Sequence, residues 1–571
     1  MKRSWPYLAG LAFAVAFAGL TSGHYLFGED SAHYVGLAQR LARGLPYQTA
    51  GRPELVYPPG FPALLAPAAL LFHGRLAGIF RWYGFLAGLN FVVVWRLFRA
   101  YHVPFAAAIA AATMCCAGYL DVALRNPLSE PAFLAWSLLF LLWVDRQRDA
   151  TSLPLGSAVL GAALLVLTVL TRTVGAAALA APACVVAARC YRTRSVDRVS
   201  RRLALVGLVG FASLAVWMAW TAARRRPLYP GEYWTSYFAQ MRLINPRSPL
   251  LGSVGVAGIV ARFGHNIVAH SGHLAELLTQ VNAVQWIPFS PLILLPALLV
   301  AVGWWWHLSH GSIALASYAA AYAFIILSWP FDQGTRFVLP VLPIAIVLAW
   351  DGARLGVSLL RQRPPRRAWL AICAVMAVVS LLGVHAGSHS LQARAAVVGW
   401  LVLAALGWAA HRPVVESLAR RWKALAVGAA VAAYAAAGLV GELPLIRHNI
   451  AGTPLLTPYE VAVDSAAQWI SRSTSDSASI MTGSGDRLAF VTGRPTIPLP
   501  VTYDTSVMAS VVRRFHPEYV VVFDQDDGYF QPTEPQRFGA LAQLFAERPD
   551  SVYRAPGVGI FRLPPLEAGG R

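Results

Sequence analysis

Apolar runs of about 17 to 25 residues, each long enough to cross a bilayer as a helix, recur along most of this chain. They read approximately as 5–23, 77–98, 104–120, 128–145, 153–170, 174–190, 203–222, 287–306, 311–328, 336–351, 369–386, 394–410 and 424–441. Hydrocarbon offers the backbone no hydrogen-bond partners, so such runs are expected to be helices. Composition agrees. Hydrophobic residues make up 57% of the 571 positions and charged residues 13%, against about 25% charged in soluble domains. The expected class is a polytopic α-helical membrane protein with about 11–13 transmembrane helices. The stretch 61–72 is apolar but short, and Pro62 and Pro67 interrupt it. It reads as a re-entrant or interfacial helix.

The formal net charge of +20 is unevenly spread. Arg189, Arg192, Arg194, Arg198, Arg201 and Arg202 crowd one loop. Arg354, Arg361, Arg363, Arg366 and Arg367 crowd a second. Arg412, Arg420, Arg421 and Lys423 crowd a third. All three fall on the same side as Lys2 and Arg3, which the positive-inside rule makes cytoplasmic. The N-terminus is then cytoplasmic, and the loops 24–60 and 224–285 and the C-terminus face outward. Arg224-Arg225-Arg226 is a small exception on the outer side. Topology accounts for the basic balance, and no base-reading chemistry points to nucleic acid. Lys2 and Arg3 before an apolar stretch resemble a signal peptide, but no small-residue cleavage site stands before His24, so an uncleaved span is expected. The five cysteines, Cys115, Cys116, Cys184, Cys190 and Cys373, lie in or at the ends of spans, without metal-ligand spacing.

From about residue 443 the character changes. Helical patterns at Thr457–Ser473, Asp486–Thr492, Ser506–Phe515 and Glu534–Glu547 alternate with short apolar runs. These are Ser479-Ile480-Met481, Tyr519–Phe523, and segments near Tyr553 and Gly559-Ile560-Phe561. That alternation predicts a small extracytoplasmic α/β domain over 443–571, following a membrane module over 1–442. The acidic turn Asp524-Gln525-Asp526-Asp527 lacks the glycine and bidentate glutamate of a calcium loop and reads as a solvated turn.

Chemistry-bearing residues gather at one membrane surface. Glu29 and Asp30 follow the first span, with Tyr34, Glu54 and Tyr57 in the same outer loop. Arg172 and Arg336 fall at outer ends of spans, with Arg125 and Glu130 between two of them. Each also has a plainer reading: Asp30 as a helix N-cap, Glu130 as a partner of the helix dipole, the arginines as interfacial snorkels. His24 and His33 flank Asp30 but read as loop histidines, and no metal site is assigned. Asp332 is either an ion-pair partner of Arg336 or a further site carboxylate. The outer loop 224–285 adds Tyr229, Tyr233, Trp234, Tyr237, His265, His270 and His273, as expected of an interfacial belt.

In order along the chain, Asp30-xxx-Tyr34, Ala38, Gly44 and Tyr57-Pro58-Pro59-Gly60-Phe61-Pro62 resemble the first outer loop of GT-C membrane glycosyltransferases. Ser129-Glu130-Pro131, Thr171-Arg172-x-x-Gly175, Arg336-Phe337-x-Leu339-Pro340-x-x-Pro343, Thr492-Gly493-Arg494 and Tyr519-Val520-Val521-Val522 extend the likeness over nearly the whole chain. The group is that of bacterial proteins similar to dolichyl-phosphate-mannose protein mannosyltransferases and the lipid A aminoarabinose transferase. One departure is Ser31, where the pattern often has Glu after the Asp.

The resemblance implies transfer of a hexosyl or pentosyl group from a polyprenyl-phosphate donor at the outer face of the cytoplasmic membrane. Asp30 would then be the base, and Arg172 and Arg336 would hold the donor phosphate. Glu29, Tyr34, Glu54, Tyr57, Arg125 and Glu130 would support or bind substrate, with 61–72 and Tyr57 lining a prenyl groove. The sugar, the acceptor (protein, lipid or cell-wall glycan) and the cofactor stay open, a divalent cation included. Membrane lipids are the other expected partners. Two alternative classes remain. A flippase of lipid-linked sugars usually shows internal repeats, and none is visible. A non-catalytic cell-envelope assembly protein would lack an acceptor pocket at Asp30.

Overall fold

The computed structural model describes residues 4–21, 29–125, 127–229, 232–280, 291–362, 428–483, 485–524 and 530–566. The expected spans 369–386 and 394–410, with Cys373, His24 and most of the turn 524–527, lie outside them.

Each expected span that falls on described residues is largely helical, though 104–120, 174–190 and 336–351 are each made of more than one helical segment. The first six helices are α1 (Trp5–Leu20), α2 (Glu29–Ala42), α3 (Gly60–Leu71), α4 (Leu76–Ala100), α5 (Ala106–Met114) and α6 (Ala117–Arg125). Next come α7 (Glu130–Arg146), α8 (Leu155–Thr171), α9 (Ala180–Thr193), α10 (Arg198–Arg224) and α11 (Tyr237–Arg242). Then follow α12 (Val256–Thr279), α13 (Pro291–Ser309), α14 (Ile313–Ser328), α15 (Thr335–Val338) and α16 (Leu342–Gln362). The apolar residues on α1 and α10, such as Leu8, Leu11, Leu208 and Phe211, are exposed. Lipid is the medium that such faces require.

Among the described residues, four helices are long and apolar enough to cross a membrane, or up to six if each bent pair is one span. This falls short of the expected count because several apolar helices are short. α1 and α14 have 16 residues and α8 has 17, so at 1.5 Å per residue they reach only about 24–26 Å. The run 104–120 is not one straight helix: α5 and α6 meet at 54°. The break at Cys115–Cys116 is stitched from outside, where the Ala117 N–H donates to Gln280 Oε1 at 2.8 Å. The segment 224–285 holds the long helix α12, which its histidines and glycines had masked as loop.

The C-terminal part forms a five-stranded mixed sheet. Its strands are β3 (Ile480–Thr482), β4 (Thr496–Pro498), β5 (Tyr519–Phe523), β6 (Asp550–Ala555) and β7 (Val558–Arg562), in the order β4-β3-β5-β7-β6. An earlier two-stranded ribbon, β1 (Gln48–Thr49) with β2 (Arg52–Pro53), shapes the first loop. β3 runs parallel to β4 and β5, while β5–β7 and β7–β6 are antiparallel. Apolar runs such as Val520–Phe523 are buried on both faces, as the parallel centre of a sheet requires. β4 was not anticipated, since three residues beside Gly493 and Pro495 carry little periodic signal. The helix Pro458–Ser473 begins as predicted, on a reciprocal capping box between Thr457 and Glu460. The last helix ends at Ala542 rather than Glu547. This part docks on the first: the Arg487 N–H donates to Glu29 Oε2 at 2.9 Å.

Candidate active site

Asp30 stands in the first turn of α2, next to Glu29, where carboxylates suit the helix's positive end. Its Oδ1 accepts from the Tyr57 hydroxyl at 2.5 Å and its Oδ2 from Arg336 Nη2 at 2.9 Å. Arg336 reaches back from α15, and its Nε donates to Glu130 Oε1 at 2.8 Å. The same oxygen accepts from Arg172 Nη1 at 2.6 Å. Asp30, Arg336, Glu130 and Arg172 thus form one alternating row across α2, α15, α7 and the end of α8. Glu130 is 1% exposed, whereas the Asp30 and Arg336 side chains keep 32% and 30% of their exposure. The row is anchored at Glu130 and open at the Asp30 end.

The surrounding loop holds Tyr57 in place. Glu54 accepts the N–H groups of Val56 at 2.8 Å and Tyr57 at 3.1 Å and the Thr49 hydroxyl at 3.0 Å. His33 Nδ1 lies 3.2 Å from the same carboxylate, and its ring packs 4.7 Å from that of Tyr57. Tyr34 shares a hydrogen bond with Ser129 at 3.0 Å, beside Glu130. Gly60 begins α3 so close to α8 that a Cβ there would sit 2.6 Å from the Leu170 carbonyl. Close approach, rather than turn geometry, requires that glycine.

Burial pushes the Asp30 carboxyl up. The Arg336 charge and the hydrogen bonds from Tyr57 and Arg336 outweigh this and hold it below the usual carboxylate value. Burial also opposes the Glu54 charge, and contact with His33 and two backbone N–H groups again brings it below the usual value. Burial and the neighbouring Asp30 charge push the Tyr57 hydroxyl well up. Asp30 is therefore a carboxylate at neutral pH and Tyr57 a donor.

A cavity of about 1230 Å³ opens onto this row. Asp30, Tyr57, Arg172 and Arg336 line one wall, and Glu534 and Arg537 of the C-terminal part line another. Its apolar wall comes from Leu214 and Met218 of α10 and Ile325 of α14. Of the expected prenyl groove, Tyr57 lines this cavity, but α3 contributes no lining residue.

The structure does not bring Arg125 to the row. It closes α6 in pairs with Asp121, four residues earlier, at 3.8 Å and with Glu460 at 3.6 Å. Glu29 lines the cavity, but one of its oxygens is taken by the docking contact with Arg487. Asp332 pairs with His273 Nε2 at 2.7 Å rather than with Arg336. His33, read as a solvated loop residue, is packed between Glu54 and Tyr57. Sequence reasoning missed Glu534 and Arg537: an Arg three residues after a Glu in an amphipathic helix looks like a surface pair. Arg537 is in fact 1% exposed and donates to the Leu499 carbonyl at 3.0 Å. Among the described residues, a grouping with metal-ligand geometry occurs on α12 and the loop before α15: His270, His273 and Asp332.

Glu54→Ala is expected to destabilise the protein by about 1–3 kcal/mol, since the half-buried N–H groups of Val56 and Tyr57 lose their acceptor. Thermal unfolding in detergent checks this, and an unchanged midpoint would show that Glu54 does not organise the loop.

No family model matches this sequence, nor does any curated protein. Solved structures do. ArnT from Cupriavidus metallidurans, bound to undecaprenyl phosphate, aligns over 98% of both chains at a TM-score of 0.53 and 17% identity. The chain shares the fold of ArnT. ArnT from the same organism in the apo state aligns over 97% of both chains, at 0.50 and 18%. At such identity the likeness is one of fold, and function has to be argued from the site. The fold does account for the order of the sequence motifs: the segments that carry Asp30, Glu130, Arg172 and Arg336 are far apart in sequence and adjacent in space.

Proposed function

We propose that the protein is a glycosyltransferase that moves a sugar from a polyprenyl-phosphate-linked donor to an acceptor hydroxyl, with Asp30 as the base. The observation that supports this reading most is the row Asp30–Arg336–Glu130–Arg172 at the wall of a large, partly apolar cavity. Two guanidinium groups beside one another suit a phosphate, which takes Arg in a planar, two-pronged contact. A donor phosphate arriving there competes with Asp30 for Arg336 and releases Oδ2. Tyr57 stays on Oδ1 and keeps the carboxylate oriented. The released oxygen takes the proton as the acceptor oxygen bonds to the sugar's anomeric carbon. The bond from that carbon to the phosphate oxygen breaks, and polyprenyl phosphate leaves with its charge held by Arg172 and Arg336. Leu214, Met218 and Ile325 offer an apolar surface to the prenyl chain.

On this reading the protein sits in the cytoplasmic membrane with about 11–13 spans and a cytoplasmic N-terminus. The membrane module covers 1–442, and the α/β domain, 443–571, lies outside and closes the cavity from above. The acceptor is a protein, lipid or cell-wall glycan.

Arg336→Lys keeps the charge but loses the fork. It is expected to lower kcat/KM for the donor about 10–100-fold, the worth of one charge-assisted hydrogen bond. Initial rates over a donor titration check this, and an unaltered kcat/KM would remove Arg336 from the phosphate site. The pH profile is a second test. Because the folded state holds Asp30 below its usual pKa, the charged form persists as pH falls and is lost only below about pH 4. The acid limb of kcat/KM is expected there, and a limb near pH 6 would exclude Asp30 as the titrating base.

A further inference from the structure

Outside the Asp30–Arg336 row, α12 carries His270 and His273 one helical turn apart. Both are buried, at 7% exposure each. Asp332, in the loop before α15, brings its Oδ2 to within 2.7 Å of His273 Nε2. One ligand-capable atom from each of the three residues lies within 4.8 Å of the others. An ion pair between His273 and Asp332 explains only two members. It leaves His270 packed against them with Nδ1 buried and without a hydrogen-bond partner, while Nδ1 of His273 faces the Glu276 carboxylate at 3.6 Å. An imidazole nitrogen in that position is costly unless something uses its lone pair.

We propose that His270, His273 and Asp332 form a binding site for a divalent transition metal of the zinc class. Two imidazoles and one carboxylate are a zinc-type donor set, and three protein ligands leave one position open. In a tetrahedral zinc site neighbouring ligand atoms stand roughly 3.3 Å apart. The present separations, from 2.7 Å up to the 4.8 Å limit, bracket that value. The second oxygen of Asp332 is already oriented, since Oδ1 accepts the Gly334 N–H at 2.8 Å. Such outer hydrogen bonds fix a ligating carboxylate. Asp332 also lines the main cavity, which provides an entry path for an ion.

The site's place in the fold gives it a consequence. Gly334 takes a left-handed φ of +65°, and two residues later Arg336 leaves for Asp30 and Glu130. A metal that ties Asp332 to α12 fixes the start of that short segment. The role is positional, and no step of the transfer passes through the ion. The site does not depend on the transferase reading, because its test reads metal content and not turnover.

The full-length protein, purified with its affinity tag removed, is stripped with a chelator, dialysed against buffered Zn(II) and assayed by elemental mass spectrometry. One zinc per chain is expected in the wild type, with at least a tenfold drop in affinity in His270→Asn and in Asp332→Asn. Should either variant fail to fold, the cobalt-substituted wild type decides. X-ray absorption is then expected to count two imidazole ligands. Wild type with well under one zinc per chain, variants that keep their zinc, or a cobalt shell without imidazole would each overturn the proposal.

Discussion

Glu130→Ala is expected to destabilise the protein by about 3–5 kcal/mol, the cost of removing one partner from a buried ion pair. The reason lies in the arrangement. A single Glu130 oxygen accepts from Arg172 at 2.6 Å and from Arg336 at 2.8 Å, and the residue is 1% exposed. Without it, two guanidinium groups repel each other inside the protein, with only Asp30 left to offset them. Glu130→Gln keeps the shape and removes the charge, so it separates packing from electrostatics. It is expected to fold yet lose most of the effect of the row. Thermal unfolding and monodispersity in detergent measure both variants. A Glu130→Ala protein within about 1 kcal/mol of wild type would mean that the row is not held by Glu130.

Asp30→Asn is expected to lower kcat about 10²–10⁴-fold, the usual worth of a positioned general base. The same change frees Arg336 from its acidic partner. Donor affinity is therefore expected to hold or improve, with KM for the donor unchanged or lower. A residue that served only as a helix cap or a packing group would move stability and KM without this split. Loss of kcat by less than tenfold would leave Asp30 as an orienting group.

The membrane class and most helix positions were legible in the sequence because hydrocarbon imposes one strong rule on long apolar runs. That Asp30, Tyr57, Arg172 and Arg336 gather at one membrane surface was legible too, from their order along the chain relative to the apolar runs. Their connections were not. Nothing in the pattern around Glu130 shows that it joins two arginines from other helices, and a span-start glutamate next to Pro131 fits the helix dipole equally well. Arg125 misled for the converse reason: its partners, Asp121 four residues back and the distant Glu460, make a supporting pair that sequence cannot tell from a site pair. The loop 224–285 hid α12 because its histidines and glycines dilute the apolar signal. The bend between α5 and α6 escaped notice because Cys115 and Cys116 look like ordinary apolar residues.

Sugar release from a panel of polyprenyl-phosphate sugars by the purified protein, wild type against Asp30→Asn, tests the central claim most directly. The proposed chemistry predicts that wild type turns over at least one donor and that Asp30→Asn, still folded and still binding that donor, falls by orders of magnitude. Absence of turnover by wild type on every donor, or equal turnover by both proteins, would contradict it.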